Sequence, residues 1–331
     1  MNRDRGVAMV LVLWVLLVLS LLIGGFAFTM HVETRLASFR RKELKAEMLA
    51  RSGVEVARMQ LLLAAQAATN APYDARNQSW ATNDLLYVDH ELGEGTYSVT
   101  VMDEESKLPV NKMSEAQWSR LLTQLQVDPF DADVIVDSIL DWIDEDDRHR
   151  LNGAEDDYYT TLQPPYRAKN GPLDRVEELL LVRGVTPELF YGKPAEKPDD
   201  VALPGLAELL TTTSSGHVNV NTASPLVLKV WFGLDDVHVD AVVGRREGAD
   251  NILGTDDDQP FTSVQDFAAV ASSGQGGRVV TTGATVKSTY FTIKSTGEVA
   301  GVKRTILATV RRQNNQVTVV LWREMRGGGG A

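Results

Sequence analysis

Cysteine is absent from the 331 residues, which removes disulfide scaffolds, thiolate zinc sites, iron–sulfur clusters and a cysteine nucleophile at once. Such a chain tolerates any redox compartment. Histidine is scarce, and His31, His90, His149, His217 and His238 never pair at i, i+4, so no HExxH zinc motif occurs. GxSxG, Walker and GxGxxG motifs are also missing, which takes away the common hydrolase and nucleotide signatures. The expectation is a protein that is not an enzyme. Cations are outnumbered, 33 Lys and Arg against 45 Asp and Glu, and a formal charge of −12 argues against a general nucleic-acid binder. What remains, 44% apolar and 24% charged, has the balance of a folded chain of two or three domains.

Proline does not occur before Pro72, so nothing interrupts a long amino-terminal helix. Residues 7–28 read VAMVLVLWVLLVLSLLIGGFAF, with no charge and only Ser20 polar. As a helix this run spans about 33 Å, enough to cross a bilayer, and it is too long for a secretory signal core. Small residues then recur at Ala46, Ala50, Gly53, Ala57, Leu61, Ala64 and Ala68 in steps of three and four. That stripe predicts a narrow face packed closely on a sheet or on other helices, at the end of one continuous helix running to about residue 68.

The short basic leader MNRDRG, the uncharged span directly after it and the unbroken amphipathic helix resemble those of a type IV pilin-like protein. The resemblance implies a prepilin peptidase that cleaves after Gly6 and methylates the new terminus at Val7. It also implies a glutamate as the fifth residue of the processed chain, where this sequence has Leu11. Arg35, Arg40, Arg41 and Lys42 outnumber Arg3 and Arg5 across the span. By that count the body would stay in the cytoplasm, whereas pilin-like topology puts it in the periplasm, and the latter is the expectation.

Beyond the helix, GTYSVTVMD (residues 95–103) alternates as a strand does. Strands return at 288–295, 302–311 and 317–322, with STGEVAG and RQNNQ as turns and RGGGGA as a flexible tail. Between them the pattern is helical: SEAQWSRLLTQLQ with Ser114 as cap, DADVIVDSILDWI, PLDRVEELLLVRG, SPLVLKVWFG and DVHVDAVVGRR. The expected fold class is α+β: a pilin-like long helix and antiparallel sheet with a large inserted helical domain. The boundaries follow as a leader at 1–6, a span at 7–28, the first pilin-like part at 69–113, the insert at 114–275, carboxyl-terminal strands at 276–326 and the tail at 327–331.

SILDWIDEDDRHRLNGAEDDYY, PPYRAKNGPL, VEELLLVRGVTPELF and VNVNTASPLVL look like the K-type minor pseudopilins of bacterial type II secretion, from the leader through the last strands. The resemblance turns Leu11 into support, because that family lacks the fifth-position carboxylate. It implies a subunit anchored in the inner membrane with its body in the periplasm, then carried at the pseudopilus tip. There it would initiate and cap the fibre and support export of folded proteins across the outer membrane. The implied partners are the other minor pseudopilins, the major pseudopilin, the prepilin peptidase and the inner-membrane secretion platform.

Between Asp128 and Asp157 twelve acids face only Arg148 and Arg150, a net −10. Within DEDDRHRLNGAE, residues 144–155, Asp144, Asp146, Asn152 and Glu155 occupy the first, third, ninth and twelfth positions of a calcium-type loop. His149 stands where the sharp-turn glycine belongs, so this is not an EF-hand, and a solvated acidic loop is the other reading. The K-type resemblance implies calcium, held by Asp144, Asp146, Glu155 and Asp156 with Asp147. Asp128, Asp131, Asp133 and Asp137 read as helix caps and solvated faces, and Asp256, Asp257 and Asp258 as a loop.

A rival function competes with this one. LLLVRGVTPELF and the stretch around Gly233 resemble the helix-hairpin-helix units of membrane-anchored DNA-uptake proteins. Arg183 flanks Gly184, but Asp235 and Asp236 follow Gly233, an adverse charge at a phosphate site. The expectation is no nucleic acid.

Overall fold

The computed structural model describes residues 3–66, 72–194, 202–272 and 281–326. Helix α1, Arg3–Gln66, is continuous over 64 residues and already includes the backbone of the leader glycine. Residues 9–41 are exposed throughout, and their apolar part passes the length and hydropathy test for a membrane span. From Ala46 onward the helix is buried on one side. Ala46, Ala50, Ala57 and Leu61 are fully covered, so the small-residue stripe is the docking face. Ala68 and the remainder of the expected helix lie outside the described residues.

The docking surface is a five-stranded antiparallel meander in chain order: β1 His90–Leu92, β2 Gly95–Asp103, β3 Tyr290–Val299, β4 Val302–Gln313 and β5 Gln316–Arg326. β2 and β3 pair from Thr96 with Glu298 to Asp103 with Phe291, although almost two hundred residues separate them in sequence. Two boundaries differ from the sequence reading. STGEVAG was expected to be a turn, yet β3 continues through Gly297 and Glu298 to Val299, and only Ala300 and Gly301 turn, both at positive φ. Gly297 is there because α1 crosses it: a Cβ at 297 would overlap the carbonyl oxygen of Ala46 and lie 2.7 Å from the nitrogen of Ala50. The last strand also runs longer than expected, pairing Arg326 with Arg304; the tail beyond it lies outside the described residues.

The inserted segment leaves the sheet after Asp103 and returns at Tyr290. Its helices are α2 Glu115–Gln124, α3 Pro129–Ile143, α4 Pro225–Phe232, α5 Asp236–Arg246 and α6 Val264–Ala271. Ser114 caps α2 in a capping box with Gln117, and Asp128 caps α3 by accepting from the Phe130 amide at 2.9 Å. These caps satisfy the amides that a helix start leaves orphaned. PLDRVEELLLVRG was expected to be helical throughout and instead gives only a short 3₁₀ turn at Val176–Leu181. Apolar residues form two separate cores, one under α1 and the sheet and one within the insert.

A buried polar network joins the two. Asp103, at the end of β2, accepts from Asn219 at 3.1 Å, Thr222 at 2.5 Å and Ser288 at 2.7 Å. Asn219 also donates to the carbonyl of Asp74 at 3.1 Å, and Asp74 pairs with Arg312 from β4. Asn221 exchanges both hydrogen bonds with the backbone of Phe261, at 2.8 and 3.0 Å. The VNVN motif is therefore the seam between sheet and insert. Burial, reinforced by Glu105, pushes the Asp103 carboxyl up to about 7.

Close packing of α1 has a direct test. A Cβ at Gly53 would overlap Ser295 and lie 2.8 Å from Val99 and 2.9 Å from Tyr97, whereas Gly244 on α5 has nothing within 4 Å. Both sit in helices, so alanine brings each the same propensity gain of up to about 1 kcal/mol. Gly244→Ala is expected to stabilise by that amount. Overpacking costs about 1–3 kcal/mol, and Gly53→Ala is expected to destabilise on balance. Thermal melts of the two full-length variants in detergent would decide it.

Candidate metal centre

Helix α3 carries the first half of the acidic site. Its apolar residues Ile135, Val136, Ile139 and Trp142 are buried, which commits Asp141 and Asp144 to the neighbouring loop. Asp141 is fully buried, and its carboxylate accepts from the Arg150 amide at 3.0 and 3.2 Å. Asp144 caps the carboxyl end of α3, and its Oδ1 is buried without a hydrogen-bond partner. The loop is folded back by Asp137, which accepts from the backbone and side-chain amides of Asn152 at 3.0 and 3.3 Å.

Glu155 closes the site. It precedes the one-turn helix Asp156–Tyr159, is 2% exposed, and neither of its carboxylate oxygens has a partner. Burial, then the nearby Asp141, Asp144, Asp147 and Asp156, pushes its carboxyl up to about 7. Underneath lies an aromatic floor, with Trp142 edge-on to Tyr159 and Tyr159 stacked on Tyr166 at 5.3 Å. A buried carboxylate with both oxygens unpaired costs several kcal/mol unless it is protonated or meets a cation.

The expected ligands are therefore not equivalent. Asp144 and Glu155 are the two whose oxygens lack partners. Asp146 accepts from the Arg148 amide at 2.9 Å, and Asp147 accepts from Asn170 at 2.8 Å. Asp156 accepts from the Ala168 amide at 2.9 Å and lies 3.6 Å from Arg167. Asn152, read at the ninth loop position, donates both its backbone and side-chain N–H groups to Asp137. Asp137, read as a solvated helix residue, holds the loop. Two oxygen donors escaped the sequence reading. Asp141 sits one helical turn before Asp144, a spacing that could have flagged it. Asn170 arrives from a distant loop, and its Oδ1 is buried without a partner; no local signal announces it. Among the described residues no group of three or more His, Cys, Asp or Glu side chains is gathered as a metal cage. Asp144, Glu155 and Asn170 each carry a buried oxygen without a hydrogen-bond partner, and oxygen is the donor type a hard cation takes. Asp257 and Asp258 accept from their own loop, from Ala249 at 2.7 Å and Gly254 at 2.8 Å.

The two hairpins offer no phosphate site. A Cβ on Gly184 would lie 2.7 Å from Ile135, so its turn is packed on α3. Arg183 turns inward, donating to the Gly153 carbonyl at 3.1 Å with its guanidinium 4.9 Å over the Tyr158 ring. At the second hairpin Asp236 already holds Lys229, and Arg120 donates to the Val230 carbonyl at 2.9 Å.

An exposed apolar helix feeding an antiparallel sheet, with a helical insert between its second and third strands, is a pilin-like α+β fold whose helix is long and apolar enough to cross a membrane. Residues 97–191, which carry the acidic site, match the family model described as type II secretion system (T2SS), protein K. The chain is 26% identical to the type II secretion system protein K of Pseudomonas aeruginosa, over 98% of this chain and 94% of that one. It is 29% identical to that of Aeromonas hydrophila over 76% of each. A crystal structure of the GspK-GspI-GspJ complex from enterotoxigenic Escherichia coli is similar at a TM-score of 0.65 and 20% identity, covering 88% of this chain and 100% of that one. The chain is thus similar, over most of its length, to type II secretion system K proteins.

The Glu155 carboxyl fixes a sign for pH dependence. Without a cation, the folded chain keeps a proton on Glu155 between its ordinary range near 4.5 and about 7, while the unfolded chain has released it. Stability then falls as pH rises through that window. Denaturant midpoints measured with a chelator present are expected to show this fall, and Glu155→Gln to flatten it.

Proposed function

We propose that this chain is the tip subunit of a type II secretion pseudopilus, initiating and capping the fibre and supporting export of folded proteins. The observation that carries the reading is Leu11. No carboxylate occurs anywhere in residues 7–28, and residues 9–28 are all exposed on α1. A subunit with another above it would use a carboxylate there to meet the next chain's terminal amine. A carboxylate left unpaired in lipid costs several kcal/mol, so a subunit with nothing above it does better with leucine.

On this reading a prepilin peptidase cuts after Gly6 and methylates Val7. The span then holds the chain in the inner membrane with its body in the periplasm, until the secretion platform feeds it into the fibre. Its neighbours would be other minor pseudopilins, in line with the complex named for the E. coli relative, and then the major pseudopilin. No chemistry is assigned, and the chain is not an enzyme. Calcium would be held by Asp144 and Glu155 with Asp146, Asp147 and Asp156, supported by Asp141 and Asn170. It would supply charge neutralisation that pins the loop to α3. The reading includes no nucleic acid: the Gly184 turn packs on Ile135, and Asp235 and Asp236 follow the Gly233 turn.

Two measurements test this. Mass spectrometry of the protein from cells with a prepilin peptidase should find Val7 at the amino terminus, carrying one methyl group. An intact Met1 or a cut near Ala27 would sink the pilin reading. Calcium at about a hundred times its dissociation constant stabilises by about 2.7 kcal/mol, or roughly 5–10 °C in a domain of this size. That rise should be lost in Glu155→Ala and Asp146→Ala, and a wild-type protein without it would refute the site.

A further inference from the structure

The segment of α1 between membrane and body is bare. Residues 29–41 are exposed on every side, with Met30, Val32, Leu36 and Phe39 at 44–51%. Its charges are mostly positive, Arg35, Arg40 and Arg41 against Glu33, and the half-buried Lys42 follows directly.

These cations differ from those higher on the helix. Lys45 pairs with Glu94 at 2.5 Å, Arg51 with Glu47 and Glu324 at 2.8 Å, and Arg58 with Glu55 at 2.7 Å. Among the described residues Arg35, Arg40, Arg41 and Lys42 form no ion pair, and the acids nearest them are already engaged. Glu43 is taken by Arg304, Glu47 by Arg51 and Glu94 by Lys45.

Arg40, Arg41 and Lys42 are consecutive, so at 3.6 residues per turn they point in three directions around the helix. A protein partner docking on one side would meet a stripe. A collar suits a surface that surrounds the helix.

Height agrees. At about 1.5 Å per residue, Arg35 stands roughly 10 Å beyond Phe28 and Arg40 to Lys42 roughly 18–21 Å. Headgroups occupy about 5–8 Å of that in each leaflet. A long side chain from Arg35 therefore reaches the phosphates directly. The other three reach to within about one Debye length of them, and a modest tilt of the span lowers them further.

We propose that Arg35, Arg40, Arg41 and Lys42 form a cationic collar that holds the membrane-inserted chain against anionic phospholipid headgroups on the body's side. This rests on the reading of residues 7–28 as a membrane span. Acidic lipid attracts juxtamembrane cations on whichever face they lie, so the collar also accounts for basic residues on the side where the topology rule disfavours them.

The absence of cysteine makes the test clean, since one introduced thiol takes the only label. Full-length Ser38→Cys would carry a fluorophore and be reconstituted in vesicles of phosphatidylcholine alone or mixed with phosphatidylglycerol, each with a headgroup-attached quencher. A second protein, Val15→Cys, reports insertion through an acyl-chain quencher. The expected result is stronger quenching at position 38 in the anionic vesicles. Raised salt should remove the difference, and so should a variant combining R35Q, R40Q, R41Q and K42Q, with position 15 quenched equally throughout. Equal quenching at 38 in both vesicle types overturns the proposal, as does a difference that survives in the neutralised variant. A change at 38 that appears only when other minor pseudopilins are added also overturns it and assigns the collar to a protein interface. An unquenched label at 15 refutes the span itself, a separate and distinguishable failure.

Discussion

A helix that leaves a membrane and enters a sheet has to exchange lipid for protein contacts without a break, and here that exchange depends on how near two backbones can come. Gly53 on α1 faces Val99, Tyr97 and Ser295, and Gly297 on β3 faces the backbone of Ala46 and Ala50. At Gly297 the two backbones meet directly, and at Gly53 strand side chains pack straight onto the helix backbone. Close approach lets Leu49, Val54 and Leu61 reach the core formed with Phe291, Ile293 and Ile306. The same approach explains why β3 can be the central strand although its sequence carries a glycine that reads as a turn. With α1 seated across β2, β3 and β4, the sheet's order is set, and the long insert must leave from one end, after Asp103.

At that end the joint is polar. Asp74, Asp103, Glu104 and Glu105 are all buried, and each is hydrogen-bonded: Glu104 to Thr211 at 2.6 Å, Glu105 to the Tyr290 amide at 3.0 Å. Arg312 is the cation that ties Asp74 to the sheet. A satisfied polar network is more demanding of position than an apolar contact, because one misplaced partner leaves a buried charge alone. Two cores that do not merge are therefore held in a fixed relation through Asn219, with Asn221 bracing the insert beside it against Phe261. For a subunit read as the tip of a fibre, this fixes the helical domain on the stalk that carries it.

Much of this was legible in the sequence, and for identifiable reasons. The stripe of small residues announced the docking face of α1 because helix geometry forces residues three and four apart onto one side. Ser114 and Asp128 announced helix starts because amides at a helix start need acceptors. Gly297 misled, since a glycine demanded by a neighbouring helix looks the same as one demanded by a turn. The stretch at 172–184 misled because an apolar run does not state whether it will coil as α or 3₁₀. Asp141 and Asn170 were missed at the candidate site for a different reason: their roles depend on loops brought together from far apart in the chain, and no local spacing encodes that. Asp137 and Asn152 were seen but misassigned, because each had a plausible local role that the fold replaced with the other.

The charge of −12 is better understood as two opposed surfaces than as a net figure. Ten of the excess negative charges lie in the 30 residues from 128 to 157, and the neck of α1, through Lys42, carries an excess of three positive ones. These imbalances sit at different ends of the fold and have different remedies. The acidic loop has no cation of sufficient reach: Arg150 is bound to Glu115 at 2.8 Å and lies 3.9 Å from Asp137 and Asp141, which leaves Glu155 untouched. On the proposed reading a small divalent ion would take the place a guanidinium cannot reach, and in a chain without disulfides it would pin the loop to α3. The neck, by contrast, has room for an extended surface and none for a pocket. On the two proposed readings, each surplus calls for a partner of opposite sign whose size matches the space around it.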